Sequence, residues 1–286
     1  MDRRFIELYD EYTHRPLPRR TFIERLVALA GSSAAAMALL PLLENNYAKA
    51  AIVDPSDARV ETSRITFKGS SGDVRAYLAV PKQGPARRAG VIVIHENRGL
   101  NPHIEDVTRR VALEGYTALG VDLLSSMGGT PADEDKARDM IAKLDRDAAV
   151  KDLVAAVAYL KSRPDSNGKV GTMGFCWGGG MANRLATASP DLAAAVPYYG
   201  AQPQADDAAK IKAKLMLHYA GNDANINPGI GKYEDALKKA GVDYKLYLYD
   251  GAEHAFNNDT NAARYNKAAA DLAWSRTVAF FKSTLG

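Results

Sequence analysis

The sequence predicts an α/β protein: a mostly parallel, twisted sheet with helices on both faces. Three observations carry this. Short apolar runs alternate with stretches of helical period from residue 60 to the C-terminus, the pattern of a parallel sheet covered by helices. Some runs, such as residues 90–95 (G-V-I-V-I-H), are apolar almost throughout, as strands buried on both faces require. One run, residues 170–175, leads directly into Gly174-Phe175-Cys176-Trp177-Gly178. That is the thiol form of the G-x-S-x-G turn between a strand and a helix.

The elements follow in order. Residues 60–67 and 74–80 have alternating apolar positions and read as two strands around a turn at 69–72. The buried strand 90–95 comes next. A helix over 102–114 follows, with Pro102 near its first turn, where a missing N–H costs nothing. Residues 117–123 form another buried strand, and 133–144 and 148–162 have helical period. The strand 170–175 passes into a helix from about 179 to 188. Strands at 192–199, 214–219 and 244–249 follow, with a helix at 228–240 between the last two. A long helix over 262–285 closes the chain. No Pro/Gly/Ser-rich linker divides residues 51–286, which therefore read as one domain.

The first fifty residues differ. Pro18-Arg19-Arg20-Thr21-Phe22-Ile23 precedes an Ala/Leu-rich run over 26–43, broken by Gly31, Ser32 and Ser33. Ala48-Lys49-Ala50 then has the small-x-small form of a signal-peptidase site. Paired arginines before a mildly apolar segment resemble a twin-arginine export signal. The expectation is a leader over 1–50, excluded from the fold, and a periplasmic domain over 51–286 with no stable membrane insertion. The acidic head, with Asp2, Glu7, Asp10 and Glu11, departs from a basic signal. The alternative is a cytoplasmic or membrane-attached protein that keeps the leader.

Composition narrows the function. The chain is 47% apolar and 25% charged, with a formal charge of +3. That is ordinary for a globular protein, and no basic run interleaves with aromatics as a nucleic-acid site would. One cysteine excludes an intramolecular disulfide.

That cysteine sits where a nucleophile would. The glycines two before and two after it remove side chains that would collide at a strained turn. The following helix points its N-terminus, which favours negative charge, at the sulfur. A thiol nucleophile needs a base, and the base an orienting acid. Such groups lie on loops after the strands of a doubly wound sheet. Asp223 follows the strand 214–219, and His254 follows the strand 244–249. The order nucleophile, acid, histidine is one of the known triad orders. The other histidines fit less well. His14 lies in the leader, His218 inside an apolar strand, His103 at a helix start, and His95 beside the site but out of order. Asp250 and Asp259 compete less well for the acid. The backbone N–H groups of Trp177 and Asn97 are the expected oxyanion donors.

The motifs His95-Glu96-Asn97-Arg98-Gly99, Gly174-Phe175-Cys176-Trp177-Gly178-Gly179, Asp223 and His254-Ala255-Phe256 together resemble the dienelactone hydrolase family. This is the carboxymethylenebutenolidase-like branch of the α/β-hydrolases, and the resemblance covers about 59–286. It implies Cys176 as nucleophile, His254 as base and Asp223 as its orienter. It also implies that Glu96 approaches the nucleophile and governs the thiol proton. The family's grip on a substrate carboxylate includes an arginine four residues after the histidine, and here that position is Asn258. Neutral lactones or esters are therefore expected to be better substrates than acidic ones, unless Arg98 supplies the cation. The function implied is hydrolysis of a small lactone or ester through a thioacyl-enzyme. No metal or cofactor, no nucleic acid and a monomer are expected. The competing classes are a redox-active cysteine protein, weakened by the lack of a resolving cysteine, and a silent binding protein on the same fold.

Overall fold

The computed structural model describes residues 1–15, 17–47, 51–70 and 72–286. Three helices open the chain: α1 (Arg3–His14), α2 (Arg19–Ala30) and α3 (Ser33–Leu43). The body follows as β1 (Val60–Lys68), β2 (Asp73–Pro81), β3 (Arg88–Ile94), α4 (Pro102–Leu113), β4 (Thr117–Val121), α5 (Glu134–Lys143), α6 (Arg146–Ser162), β5 (Ser166–Phe175), α7 (Trp177–Ala188), β6 (Ala194–Tyr198), β7 (Lys214–Asn222), α8 (Ile230–Ala240), β8 (Tyr244–Glu253) and α9 (Lys267–Leu285).

The strands form one eight-stranded sheet in the order β1-β2-β4-β3-β5-β6-β7-β8. Only the β1–β2 and β2–β4 pairings are antiparallel; the others are parallel. The α/β architecture expected from the sequence is therefore present, with helices on both faces. Side-chain alternation along β3 divides the core, because successive residues of a strand point to opposite faces. Val91 and Val93 pack with Val107 of α4 and Phe281 of α9. Ile92 and Ile94 pack with Val157 of α6, Leu185 of α7 and Leu237 of α8.

Helix boundaries move where a polar side chain caps the backbone. α6 begins at Arg146, two residues before its apolar period, because Asp145 accepts from the N–H groups of Asp147 and Ala148. α9 begins at Lys267 rather than 262, because Asn266 caps it by accepting from Ala269 N–H. Such caps satisfy the free N–H groups of a first helical turn.

Within the stretch expected as a leader, the helices α1–α3 are folded against the body in this structure. α1–α3 enclose a small apolar core of their own, with Tyr9, Tyr12, Phe22, Leu26 and Leu43 buried. They also dock on the body. Arg264 Nη1 donates to Asp10 at 2.7 Å, and Asn97 Nδ2 donates to the Thr13 carbonyl at 2.6 Å. Arg138 donates to the Tyr12 carbonyl at 3.2 Å, and Asn261 donates to the Leu43 carbonyl. Pattern reading missed this because the segment's apolar face is short and its polar partners lie far along the chain. Among the described residues no single helix is long and apolar enough to cross a membrane. α2 and α3 together have the length and composition, but they bend by 115° between Ala30 and Ser33. Ala48-Lys49-Ala50 lies outside the described residues.

Candidate active site

Cys176 sits between β5 and α7 with φ +55° and ψ −117°, a conformation that costs a non-glycine residue on the order of 1–3 kcal/mol. The flanking glycines make it possible. A Cβ on Gly174 would lie 2.1 Å from the Gly178 carbonyl oxygen, and one on Gly178 would lie 2.3 Å from that of His95. The turn is thus pressed against its own helix and against the end of β3, with no room for a side chain at either position. The Cys176 N–H is fixed on the Tyr198 carbonyl at 3.0 Å. Trp177 N–H opens α7 and has no partner within the helix by geometry, so it is free to act as an anion donor.

The three residues expected to act together converge. His254 Nδ1 lies 2.5 Å from Asp223 Oδ2. Asp223 is itself held by the N–H groups of Asn225 and Ile226 at 3.2 and 3.1 Å. A carboxylate can only accept, so Nδ1 carries the proton and Nε2 is left as the basic nitrogen. That Nε2 is buried and has no hydrogen-bond partner. Cys176 Sγ, His254 Nε2 and His14 Nε2 lie within 4.8 Å of one another.

His14 is the surprise. Its Nε2 lies 3.1 Å from Cys176 Sγ, and its ring meets that of His254 edge-on at 4.6 Å. Its Nδ1 is 2.9 Å from the Asp10 carbonyl, again an acceptor, so Nδ1 bears the proton here too. Sequence reasoning set His14 aside with the leader, and no local signal marks it. It reaches the sulfur only through the docking of α1.

The electrostatics favour charge separation. Burial pushes the Cys176 thiol up, but the imidazoles of His14 and then His254 outweigh this and bring it down to about 6. Burial pushes His254 down, yet the Cys176 thiolate and the Asp223 carboxylate hold it well above its usual range. Burial alone would raise Asp223, but the charge and hydrogen bond of His254, with the Asn225 and Ile226 N–H groups, hold it below the ordinary value.

Other expected site residues fall in different places. Glu96 and Arg98 line a recess of only ≈ 10 Å³ beside Cys176, closed by Tyr9, Thr13 and His14. Glu96 makes no hydrogen bond to the sulfur: its Oε2 accepts from Asn258 Nδ2 at 2.7 Å, and the sulfur goes to His14. Its other oxygen is buried without a partner. Asn258 spends its side chain within the protein. It is 1% exposed, its amide is spent on Glu96, and its Oδ1 accepts from Thr260 N–H and Oγ1–H. Arg98 is buried against Glu134 at 3.3 Å. Asn97 spends its side chain on Thr13. Arg264, which sequence reasoning missed, lines the same recess; it is held by Asp10 and lies over the Tyr9 ring at 5.0 Å. His95 and His218 are both satisfied structural residues, His218 inside its apolar strand as expected. His95 Nδ1 faces the Glu96 carbonyl and its Nε2 accepts from Leu123 N–H. His218 lies between Tyr249 and Thr277. Cys176 and His254 also border a cleft of ≈ 1170 Å³, lined by Trp177, Met181, Arg184 and Gln202 among others.

The comparisons agree with this fold. The Dienelactone hydrolase family model matches residues 74–285. A protein of Saccharolobus solfataricus carrying the name carboxymethylenebutenolidase is 33% identical over 256 residues, 76% of this chain and 97% of the relative. Protein usf of Aquifex pyrophilus is 38% identical over 235 residues, 77% of this chain and 98% of the relative. A crystal structure titled as a dienelactone hydrolase, from Klebsiella pneumoniae, superposes with a TM-score of 0.70 at 27% identity. It covers 78% of this chain and 98% of its own. With a match over residues 74–285 and relatives spanned almost end to end, the chain belongs to the dienelactone hydrolase family of α/β-hydrolases.

Proposed function

We propose that the protein hydrolyses a lactone or carboxylic ester through a Cys176 thioacyl-enzyme. One observation carries the reading: Cys176 stands at a strained strand-to-helix turn, with a ligand atom of His254 within 4.8 Å of its sulfur and the His254 Nδ1 anchored on Asp223. His254 takes the thiol proton and the thiolate attacks the ester carbonyl carbon. The negative oxygen that forms is met by the N–H groups of Trp177 and Asn97. As the carbonyl re-forms, the C–O bond to the alcohol breaks, and His254 returns the proton to that oxygen. Water then adds to the thioester, giving a proton to His254. The C–S bond breaks, the acid leaves, and the sulfur regains its proton. Substrate enters through the ≈ 1170 Å³ cleft.

Cys176→Ala tests this directly. Turnover of short-chain aryl esters and lactones is expected to fall ~10³-fold or more, with an unchanged circular dichroism spectrum. Retained activity in the alanine variant sinks the mechanism. A stoichiometric burst of alcohol in wild type, absent from the variant, would identify the acyl-enzyme.

Export is proposed on the twin arginines. Arg20 is 90% exposed in its side chain and pairs with Glu24, while Arg19, 48% exposed, pairs with Glu44 and Asp135. Expressed whole, the protein is expected to lose its leader near Ala50, and Arg19→Lys with Arg20→Lys to prevent this; such processing would remove α1, so the contacts of His14 and Asp10 described here belong to the unprocessed chain. Intact mass of periplasmic and cytoplasmic fractions decides it, and an unprocessed cytoplasmic wild type refutes export.

A further inference from the structure

We propose that His14, Cys176 and His254 form a binding site for one divalent transition-metal ion of the zinc type, which clamps the N-terminal helices onto the hydrolase body. The site is built from three distant segments: α1, the turn before α7, and the loop after β8. Their ligand atoms, one sulfur and two imidazole nitrogens, lie within 4.8 Å of one another. Tetrahedral zinc, with Zn–S about 2.3 Å and Zn–N about 2.0 Å, needs ligand separations of roughly 3.3–3.6 Å. The closest pair, His14 Nε2 and Cys176 Sγ, already stands at 3.1 Å. The remaining separations, at most 4.8 Å, must shorten by up to about 1.5 Å.

The two histidines are prepared as ligands rather than merely close. A metal-bound imidazole commonly donates its other N–H to a carboxylate or a carbonyl, which fixes the tautomer and aims the lone pair. Here His254 Nδ1 faces the Asp223 carboxylate and His14 Nδ1 faces the Asp10 carbonyl. His14 Nε2 faces the sulfur at 3.1 Å, and the ligand atom of His254 lies within 4.8 Å of both. His254 is 5% exposed and its Nε2 has no partner, an otherwise costly state for a buried polar atom. Thiolate with imidazole is a donor set suited to zinc and disfavoured by magnesium or calcium. The site has no short ligand spacing in sequence, so motif reading could not find it. Three protein ligands leave a fourth position, which the ≈ 1170 Å³ cleft reaches. Glu96 Oε1, buried and unpartnered in the adjoining recess, supplies a nearby negative charge. Arg264 and Arg98 in that recess are offset by Asp10 and Glu134.

A metal here would hold both the thiolate and the basic nitrogen, so it would silence the proposed hydrolysis; this consequence alone rests on the function proposed above. The test uses the full chain, stripped with chelator and titrated with Co²⁺, then with Zn²⁺ against a chromophoric chelator. One equivalent is expected, with a thiolate-to-cobalt charge-transfer band that Cys176→Ser abolishes. His14→Ala is expected to weaken binding ~100-fold or more. Zinc is also expected to slow proteolytic loss of residues 1–47 in wild type and to have no such effect in His14→Ala. Circular dichroism of each variant checks folding. No charge-transfer band in folded wild type overturns the site. Equal affinity in wild type and His14→Ala overturns the clamp, as does zinc-independent proteolysis. None of these readouts depends on ester turnover, so they stand or fall apart from the hydrolase mechanism.

Discussion

Cys176 has two imidazoles within reach, and they act on its proton in the same direction. Free thiols titrate near 8.5, whereas this one is brought down to about 6. Because the thiolate is the reactive form, alkylation by iodoacetamide in metal-free protein should hold its rate down to about pH 6. It should be lost only below that, where the sulfur regains its proton. His14→Ala removes the first of the lowering charges, so the midpoint of the rate–pH curve should move to higher pH. A midpoint that stays in place would mean His254 alone sets the thiol. Glu96 was expected to govern this proton, but Asn258 holds one of its oxygens. Residue types and loop positions made Cys176, Asp223 and His254 legible. The partners of Glu96, Asn258 and Arg264 were not, because each is fixed by a contact more than 150 residues distant in sequence or by the docked α1.

At the scale of elements, local pattern and tertiary structure agree because burial is two-sided. All eight strands were readable: β3, β4 and β6 are buried along nearly their whole length, so their sequences are apolar without alternation. Helix starts were less readable, since a cap outranks the apolar period in placing the first turn. The β5–α7 junction is packed backbone against backbone. Gly178 faces the backbone of His95 and Ile94, and backbone cannot step aside as a flexible side chain can. Gly178→Ala is therefore expected to destabilise by ~1–3 kcal/mol, in the range of overpacking. That should lower Tm by roughly 3–10 °C for a chain of this size, with a disproportionate loss of activity as the turn carrying Cys176 shifts. Gly231, whose Cβ would meet nothing within 4 Å, is the contrast: Gly231→Ala in α8 should be neutral or stabilising by up to ~1 kcal/mol. Thermal unfolding of the two variants separates a steric role from a general glycine effect.

Across the whole molecule, α1 borders both spaces beside the sulfur, the small recess and the large cleft. The recess beside Glu96, Arg98 and Arg264 is reduced to ≈ 10 Å³, while the cleft over Trp177 and Arg184 remains. In that recess the Asp10 carboxylate sits 2.7 Å from Arg264, the position a substrate carboxylate would take on a guanidinium. The preference for neutral substrates, expected because Asn258 replaces an arginine, therefore depends on whether Asp10 is present. Asp10→Asn removes the competing charge and leaves Arg264 free to pair with an acid. The kcat/KM ratio for a carboxylate-bearing lactone over its methyl ester should rise about tenfold, some 1.4 kcal/mol, within the worth of a hydrogen bond to a charged group. Chain 51–286, which spans the family match at 74–285, should show the same rise if it folds to the native circular dichroism spectrum. Arg264→Gln added to either should cancel it. A ratio that ignores Asp10 and Arg264 alike would show that no substrate carboxylate reaches the recess, and the neutral preference read from Asn258 would then stand.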